Sequence, residues 1–461
     1  MEQTKKRGFL ARALIGFGWT LLGMVVLLVA AILYYRFDDP LTPEAQAALA
    51  LPVKLAEISN DNGYVAMLGM GAPADEEQMA WGRKVAAALR ANEAPGFQRN
   101  VEWQQLVRNH LSFPAHGRWC APGKDCVAAF KAKQGELARI VKEQRLLLDR
   151  YSVARGKPVY EEAYVPLRIE SALPNFGNLG NVHHLARFVI FARVARGDVA
   201  GALDEMEKEI AFHRRVLAGS RTLIGKMVAI RHLASDALAL SELMSARRAA
   251  LAPHAARIGR MLDGAEGLLD ARPALELEIR IAANLLNELG AAMAGGNGDW
   301  AVESLFYRPH MTVNAMVAGE GEKLAAFDGD ASGYDQAQAR AQQIGERLSR
   351  PGWLGYLRNP VGSAFLAIGG LSPGMYVSRM HDTAALLRLV RLQAALLEKR
   401  ADKPQQILKV LAAGGRRFAD PYTGKPFALD TATNSVWFTA RGRGGWQADV
   451  SQPDLRIAIH P

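Results

Sequence analysis

The sequence predicts a mainly α-helical protein: one N-terminal transmembrane helix, an irregular array of helical hairpins, and a small β-containing module at the C-terminus. Three observations carry that expectation. An uncharged apolar run extends from Ala13 to Tyr35, apolar residues then recur at helical spacing over most of the chain, and near residue 402 the pattern gives way to turn residues and short β-prone runs.

The 23 residues of the apolar run, coiled as a helix, are long enough to cross the roughly 30 Å hydrocarbon core of a bilayer. Lys5, Lys6, Arg7 and Arg12 precede it, whereas only Arg36 follows before Asp38 and Asp39. The positive-inside rule therefore places residues 1–12 in the cytoplasm and the bulk of the chain outside. Tyr34, Tyr35 and Phe37 cluster at the far end, where amphipathic rings favour the headgroup layer. A cleaved signal peptide is the competing reading, but Val29-Ala30-Ala31 is a poor cleavage site and the run continues beyond it. A retained signal anchor is expected. It lacks a Gly-x-x-x-Gly pair, so helix-driven dimerisation is not indicated and the oligomeric state stays open.

Apolar residues make up 49% of the chain and charged residues 22%, as in a folded protein with a real core. The net charge of +10 is modest for 461 residues. It suits attraction to anionic headgroups or an acidic envelope polymer, and no dense basic run with interleaved aromatics suggests nucleic-acid binding. The two cysteines, Cys120 and Cys126, flank Pro122-Gly123, a turn that lets them approach. Outside the cytoplasm such a pair reads as a small disulfide; a redox pair would be spaced C-x-x-C. A metal site could recruit His116, but a fourth ligand is not apparent nearby.

Helical periodicity predicts elements over Asp75–Asn92 and Val127–Tyr151, then three in close order from Asn178 to Met244, with breaks at Gly197-Asp198 and Gly219-Ser220. Leu251 to Leu289 continues the pattern, with Pro273 starting a new helix. Residues 295–298 and 319–333, rich in glycine, are expected to be flexible breaks within a helical region spanning 36–401. Another helix is expected over Asp335–Leu348, and Asp382 is expected to cap a strong one reaching Arg400. Gly355 to Leu371 is apolar, but Arg358, Asn359 and Pro360 leave it too short to span; a buried hairpin or a membrane-surface contact fits it. In residues 402–461, β-prone runs at Phe427–Leu429, Val436–Thr439 and Leu455–Ile459 follow a turn-rich stretch, with Thr433-Asn434 turning the first pair.

Ala195-Arg-Gly-Asp-Val-Ala-Gly-Ala-Leu203 resembles the inter-helix turn of tetratricopeptide-type repeats, without a second copy at the 34-residue period. Asp420-Pro421-Tyr422-Thr423-Gly424-Lys425-Pro426 resembles the turn following a long helix in major pseudopilins. Lys6-Arg7-Gly8-Phe9 is similar to a prepilin-peptidase site, but Ala13 stands where that family carries an acidic residue. Together with Asn62 to Gly69 and Arg215 to Met227, the tail also resembles single-pass periplasmic helical proteins of Gram-negative bacteria, a group that implies a compartment but no chemistry.

Candidate sites have structural explanations. His183-His184 are adjacent on a helix and point about 100° apart, so both cannot readily hold one metal. His213 falls on an apolar stripe, as a core histidine would. Glu276, Glu278 and Arg280 suit a first helical turn and an i,i+4 pair. Gly370-Leu-Ser372-Pro-Gly374 matches a nucleophile elbow formally, but Pro373 has no N–H to donate. Asp236 shares a face with Ala229, Leu233 and Leu240, so a buried ion pair with an arginine is expected. No catalytic, cofactor or metal residue is therefore assigned. The expected role is a membrane-anchored envelope interaction or scaffold protein with an envelope protein as partner. Its expected contact regions are Phe306, Tyr307, Arg308 and His310 together with Gly355 to Leu371. A hydrolase of an envelope polymer and an accessory subunit of a secretion or pilus apparatus are the alternatives.

Overall fold

The computed structural model describes residues 2–50, 55–94, 97, 99–114, 125–168, 171–172, 174–295, 306–350, 352–442 and 454–458. It is 71% helix. In chain order the helices are α1 (Glu2–Arg36), α2 (Pro43–Leu49), α3 (Gly63–Leu68), α4 (Gln78–Ala91), α5 (Val101–Val107), α6 (Cys126–Ala132), α7 (Gln134–Glu143), α8 (Arg145–Gly156), α9 (Phe176–Ala195), α10 (Val199–Gly219) and α11 (Leu223–Ala246). They continue with α12 (Arg248–Leu251), α13 (Ala255–Met261), α14 (Arg272–Gly295), α15 (Pro309–Ala325), α16 (Tyr334–Ser349), α17 (Trp353–Arg358), α18 (Pro360–Ile368), α19 (Pro373–Glu398) and α20 (Pro404–Gly414). An antiparallel sheet of β1 (Ala428–Asp430), β2 (Ser435–Thr439) and β3 (Asp454–Ala458), in that order, follows.

Two units divide the chain. The smaller comprises Met1–Leu51, Ala282–Glu322 and Gln342–Leu371; the larger comprises Pro52–Ile281, Lys323–Ala341 and Ser372–Pro461. In the smaller unit, α1 carries no charge from Ile15 to Ala31 and its apolar side chains there are uncovered, with Phe17, Trp19 and Leu27 at 66%, 69% and 70% exposure. The chain beyond α1 is fastened to the N-terminus of α15. Asp38 accepts from the backbone N–H groups of His310 (2.8 Å) and Met311 (3.0 Å), a carboxylate where the helix dipole favours one. Arg358, at the end of α17, pairs with Asp39 at 2.8 Å and stacks over the Tyr34 ring at 5.4 Å. Trp353, Leu354, Tyr356 and Leu357 of α17 are exposed.

The break expected at 319–333 is helical as far as Ala325, because Gly319 lies against α16: a Cβ there would come within 2.3 Å of a Leu348 methyl. Glycine allows that close approach, and packing outweighs its weak helix propensity. Residues 296–298 of the other expected break lie outside the described residues.

Pro360–Glu398 has the length and apolarity of a membrane span, and Ile15–Ala31 forms a shorter apolar helical segment. Non-helical residues 369–372 interrupt the former, however, leaving α18 only nine residues. Beyond them α19 is a core helix of the larger unit, where Leu386, Leu387, Leu389, Val390 and Leu392 are fully buried.

In the larger unit α19 packs on α11 and α13, α11 on α10, and α10 on α9. The expected turn between α9 and α10 forms with Gly197 at φ +87°, and Asp198 caps α10 by accepting from the Gly201 N–H at 3.0 Å. Thr222 caps α11, and the buried Glu162 carboxylate accepts from the backbone N–H groups of Arg221 and Thr222, both at 2.8 Å. Between these helices Gly219 is pressed onto the chain: a Cβ would lie 1.5 Å from the Tyr160 carbonyl oxygen. Gly219→Ala is therefore expected to cost about 1–3 kcal/mol by overpacking, readable as a lower denaturation midpoint with an unchanged slope.

Two sequence expectations are corrected here. Val127–Tyr151 is not one helix but α6, α7 and α8, jointed at Lys133 and Gln144, which lets α6 face α9 while α8 faces α3 and α10. Asp382 is not a cap but an interior residue of α19. Its buried carboxylate accepts from the Tyr422 hydroxyl (2.7 Å) and from the N–H groups of Arg441 (3.0 Å) and Gly442 (2.7 Å). The Asp420–Lys425 turn, with Gly424 at φ +65°, presents that tyrosine. The described residues from 402 to 458 fall within the larger unit. The strands form as expected, with Asn434 at φ +47° turning β1 into β2.

Candidate functional site

The centre of the larger unit holds a cluster of polar side chains that no single helix reveals. Three successive helices each present two polar residues four apart: His183 and Arg187 on α9, Glu209 and His213 on α10, His232 and Asp236 on α11. Spacing of i,i+4 puts both members of a pair on one helix face, and those faces meet. His183, His213 and Asp236 are at most 1% exposed, and His232 is 5% exposed.

Asp236 links two of the rings. Its Oδ1 lies 2.7 Å from His183 Nε2 and its Oδ2 lies 2.7 Å from His213 Nδ1. An ionised carboxylate only accepts, so each histidine donates a ring N–H to Asp236. Burial alone would raise the Asp236 carboxyl; the two histidines outweigh it and hold the pKa below the usual carboxylate range. Burial pushes the His183 imidazole down to about 3, the Asp236 charge opposing only in part. Burial also holds His232 well below its ordinary value, reinforced by the neighbouring histidines. Both rings are neutral near pH 7.

The three rings converge, with centroids 4.6 Å apart for His183–His213, 4.4 Å for His183–His232 and 4.9 Å for His213–His232. One ring nitrogen from each lies within 4.8 Å of the other two. His213 Nε2 and His232 Nδ1 are buried without a hydrogen-bond partner. Around them, Glu209 accepts from the Tyr151 hydroxyl and from Arg155, both at 2.6 Å, and burial raises its carboxyl. Arg187 reaches the Ser235 hydroxyl.

This arrangement corrects the expectation for Asp236, whose hydrogen-bond partners are two histidines and not an arginine. His213 is a core residue, as its stripe implied, but is only half satisfied. His184 is part-exposed, in keeping with the divergence of adjacent residues. Glu276 pairs with Arg272 at 2.9 Å instead of Arg280. Ser372 is the cap residue preceding α19, with Pro373 following it.

The expected partner contact is also revised. Tyr307 and Arg308 are buried in the smaller unit at 3% and 4% exposure. The Tyr307 hydroxyl donates to the Leu286 carbonyl at 2.8 Å, and its ring meets Phe365 edge-on. His310 is held by Asp38 and Asp39, leaving Phe306, at 42%, as the exposed member of the set. Cys126 is buried at the start of α6, whereas Cys120 lies outside the described residues.

A surface groove of about 380 Å³ lies between α7 and α9 of the larger unit. Leu137, Val141, Val189 and Ala192 give it an apolar floor; Lys142, Arg145 and Arg196 are basic, and no acidic residue lines it among the described residues. The chain matches no protein-family model, no curated protein and no solved structure.

Proposed function

We propose that this protein is a membrane-anchored scaffold of the bacterial cell envelope, whose α7–α9 groove receives an acidic, amphipathic segment of an envelope protein. The groove carries this reading: an apolar floor edged by Lys142, Arg196 and an Arg145 that also pairs with Asp149 at 3.3 Å complements apolar anchors flanked by carboxylates. The helical body, a stack of hairpins with a tetratricopeptide-like turn at Gly197-Asp198, suits such docking. The histidine centre is sealed from solvent and gives an envelope polymer no approach, which sets the scaffold ahead of a hydrolase.

The anchor in this reading is α1, crossing the inner membrane with residues 1–12 in the cytoplasm. Its uncovered apolar surface supports lipid contact, because soluble proteins rarely leave so large an apolar surface to water. Arg358 ties α17 to the end of α1, so exposed Trp353 and Tyr356 belong at headgroup depth, where aromatic side chains concentrate. In the oxidising periplasm Cys120 and Cys126 are joined as a disulfide.

A photo-crosslinking residue placed at Val141 of the full-length protein in intact cells is expected to give one discrete adduct with an extracytoplasmic protein. Lys142→Glu combined with Arg196→Glu should reduce that adduct at least tenfold, whereas Lys208→Glu on α10 should leave it unchanged. Absence of an adduct, or indifference to the charge reversal, overturns the docking proposal. A reporter fused after Pro461 that is active only in the cytosol overturns the anchor.

A further inference from the structure

We propose that His183, His213 and His232 bind one divalent transition-metal ion of the zinc or cobalt class inside the larger unit. One ring nitrogen from each of three histidines on three different helices lies within 4.8 Å of the others. Chance packing of buried histidines would leave their polar nitrogens turned toward separate backbone or side-chain partners. Instead His213 Nε2 and His232 Nδ1 are both buried and both without a partner. A lone pair in a dry interior loses its hydration without recompense, and a single cation answers two such lone pairs at once.

Asp236 completes the argument from the other side of two rings. Metal-binding histidines characteristically donate the remaining ring N–H to a carboxylate, which fixes the ring and makes the coordinating nitrogen more basic. Asp236 stands in that relation to His183 and His213 at 2.7 Å each. Because both of its oxygens are engaged, the donor set offered to an ion is nitrogen, which selects zinc, cobalt, nickel or copper over calcium and magnesium. The Asp236 charge lowers the cost of holding a dication among apolar helices. Burial places metal uptake during folding or local opening, and release should be slow.

The test uses full-length protein purified in detergent from cells grown with added zinc or, separately, cobalt. About one equivalent of metal per chain is expected by elemental mass spectrometry, together with the visible absorption of a nitrogen-ligated cobalt ion. His213→Phe and His232→Phe should each lower the metal content at least tenfold, with His184→Phe as the retained control. Asp236→Asn should weaken affinity by about ten- to a hundredfold without abolishing it. Circular dichroism separates an unfolded variant from one that has lost only the ion. The decisive measurement is on the unsubstituted protein, which needs no variant to fold. If it is folded, holds less than a tenth of an equivalent after growth with either metal, and melts at the same temperature with or without a strong chelator, the proposal is overturned.

Discussion

Asp236→Ala is expected to be the most damaging single substitution in the larger unit, lowering its stability by about 3–5 kcal/mol in chelator-treated protein. The carboxylate is fully buried and accepts two hydrogen bonds of 2.7 Å. Its removal strands the N–H groups of both His183 and His213 where no water reaches them, and adds a small cavity between α9, α10 and α11. Losing one member of a buried charged network costs far more than the network contributes, because the surviving groups keep their desolvation penalty. Asp236→Asn tests the distinction. It preserves the shape and one acceptor but turns an N–H group toward one histidine, and should cost about half as much. Denaturant titration of full-length protein in detergent, followed by helical circular dichroism, reads both values. An Asp236→Ala loss below about 1 kcal/mol would show that the carboxylate does not hold the two rings in the folded protein.

The reason that this cluster escaped the sequence, while its helices did not, is physical. Boundaries are local. Gly197-Asp198 and Gly219-Ser220 mark the ends of α9 and α10 because a positive-φ glycine, a capping carboxylate and a close backbone approach are written within a few residues. The strands likewise followed from alternating runs around Thr433-Asn434. His183, His213 and His232 lie on three helices, and each alone is what an apolar face with an occasional satisfied histidine looks like. The available signal was the recurrence of i,i+4 polar pairs on buried faces of three consecutive helices, Glu209 with His213 and His232 with Asp236 above all. Such a recurrence is improbable unless those faces meet. Asp382 shows the opposite error: an acidic residue before an apolar run reads as a cap, yet its partners Tyr422 and Arg441 lie 40 and 59 residues away. Tyr307 and Arg308 looked like a surface loop because their partners Leu286, Phe365 and Asn359 are equally remote in sequence. In each case the side chain's environment is set by tertiary packing, to which spacing along one helix is blind.

Acid should reveal the burial of His232. Its folded pKa lies well below its ordinary value, with burial the main cause. Above the unfolded pKa of about 6.5 the ring is neutral in both states and contributes no pH dependence. As pH falls below that value the unfolded chain takes up a proton that the folded protein refuses, so stability declines progressively with acidification. His183, with its pKa near 3, acts in the same direction. The buried carboxyls Glu162, Glu209, Glu242 and Asp382, all raised by burial, act in the opposite direction, since the folded protein binds their protons first. Wild-type stability against pH therefore mixes the two signs. His232→Leu isolates one of them, because that ring makes no hydrogen bond to Asp236 and its loss leaves the His183–Asp236–His213 linkage intact. In the presence of chelator the variant should lie within about 1 kcal/mol of wild type at pH 7 and gain stability relative to wild type as the pH is lowered from 7 to 5. Parallel pH profiles for the two proteins would mean that His232 titrates normally in the fold, and hence that the centre is open to water.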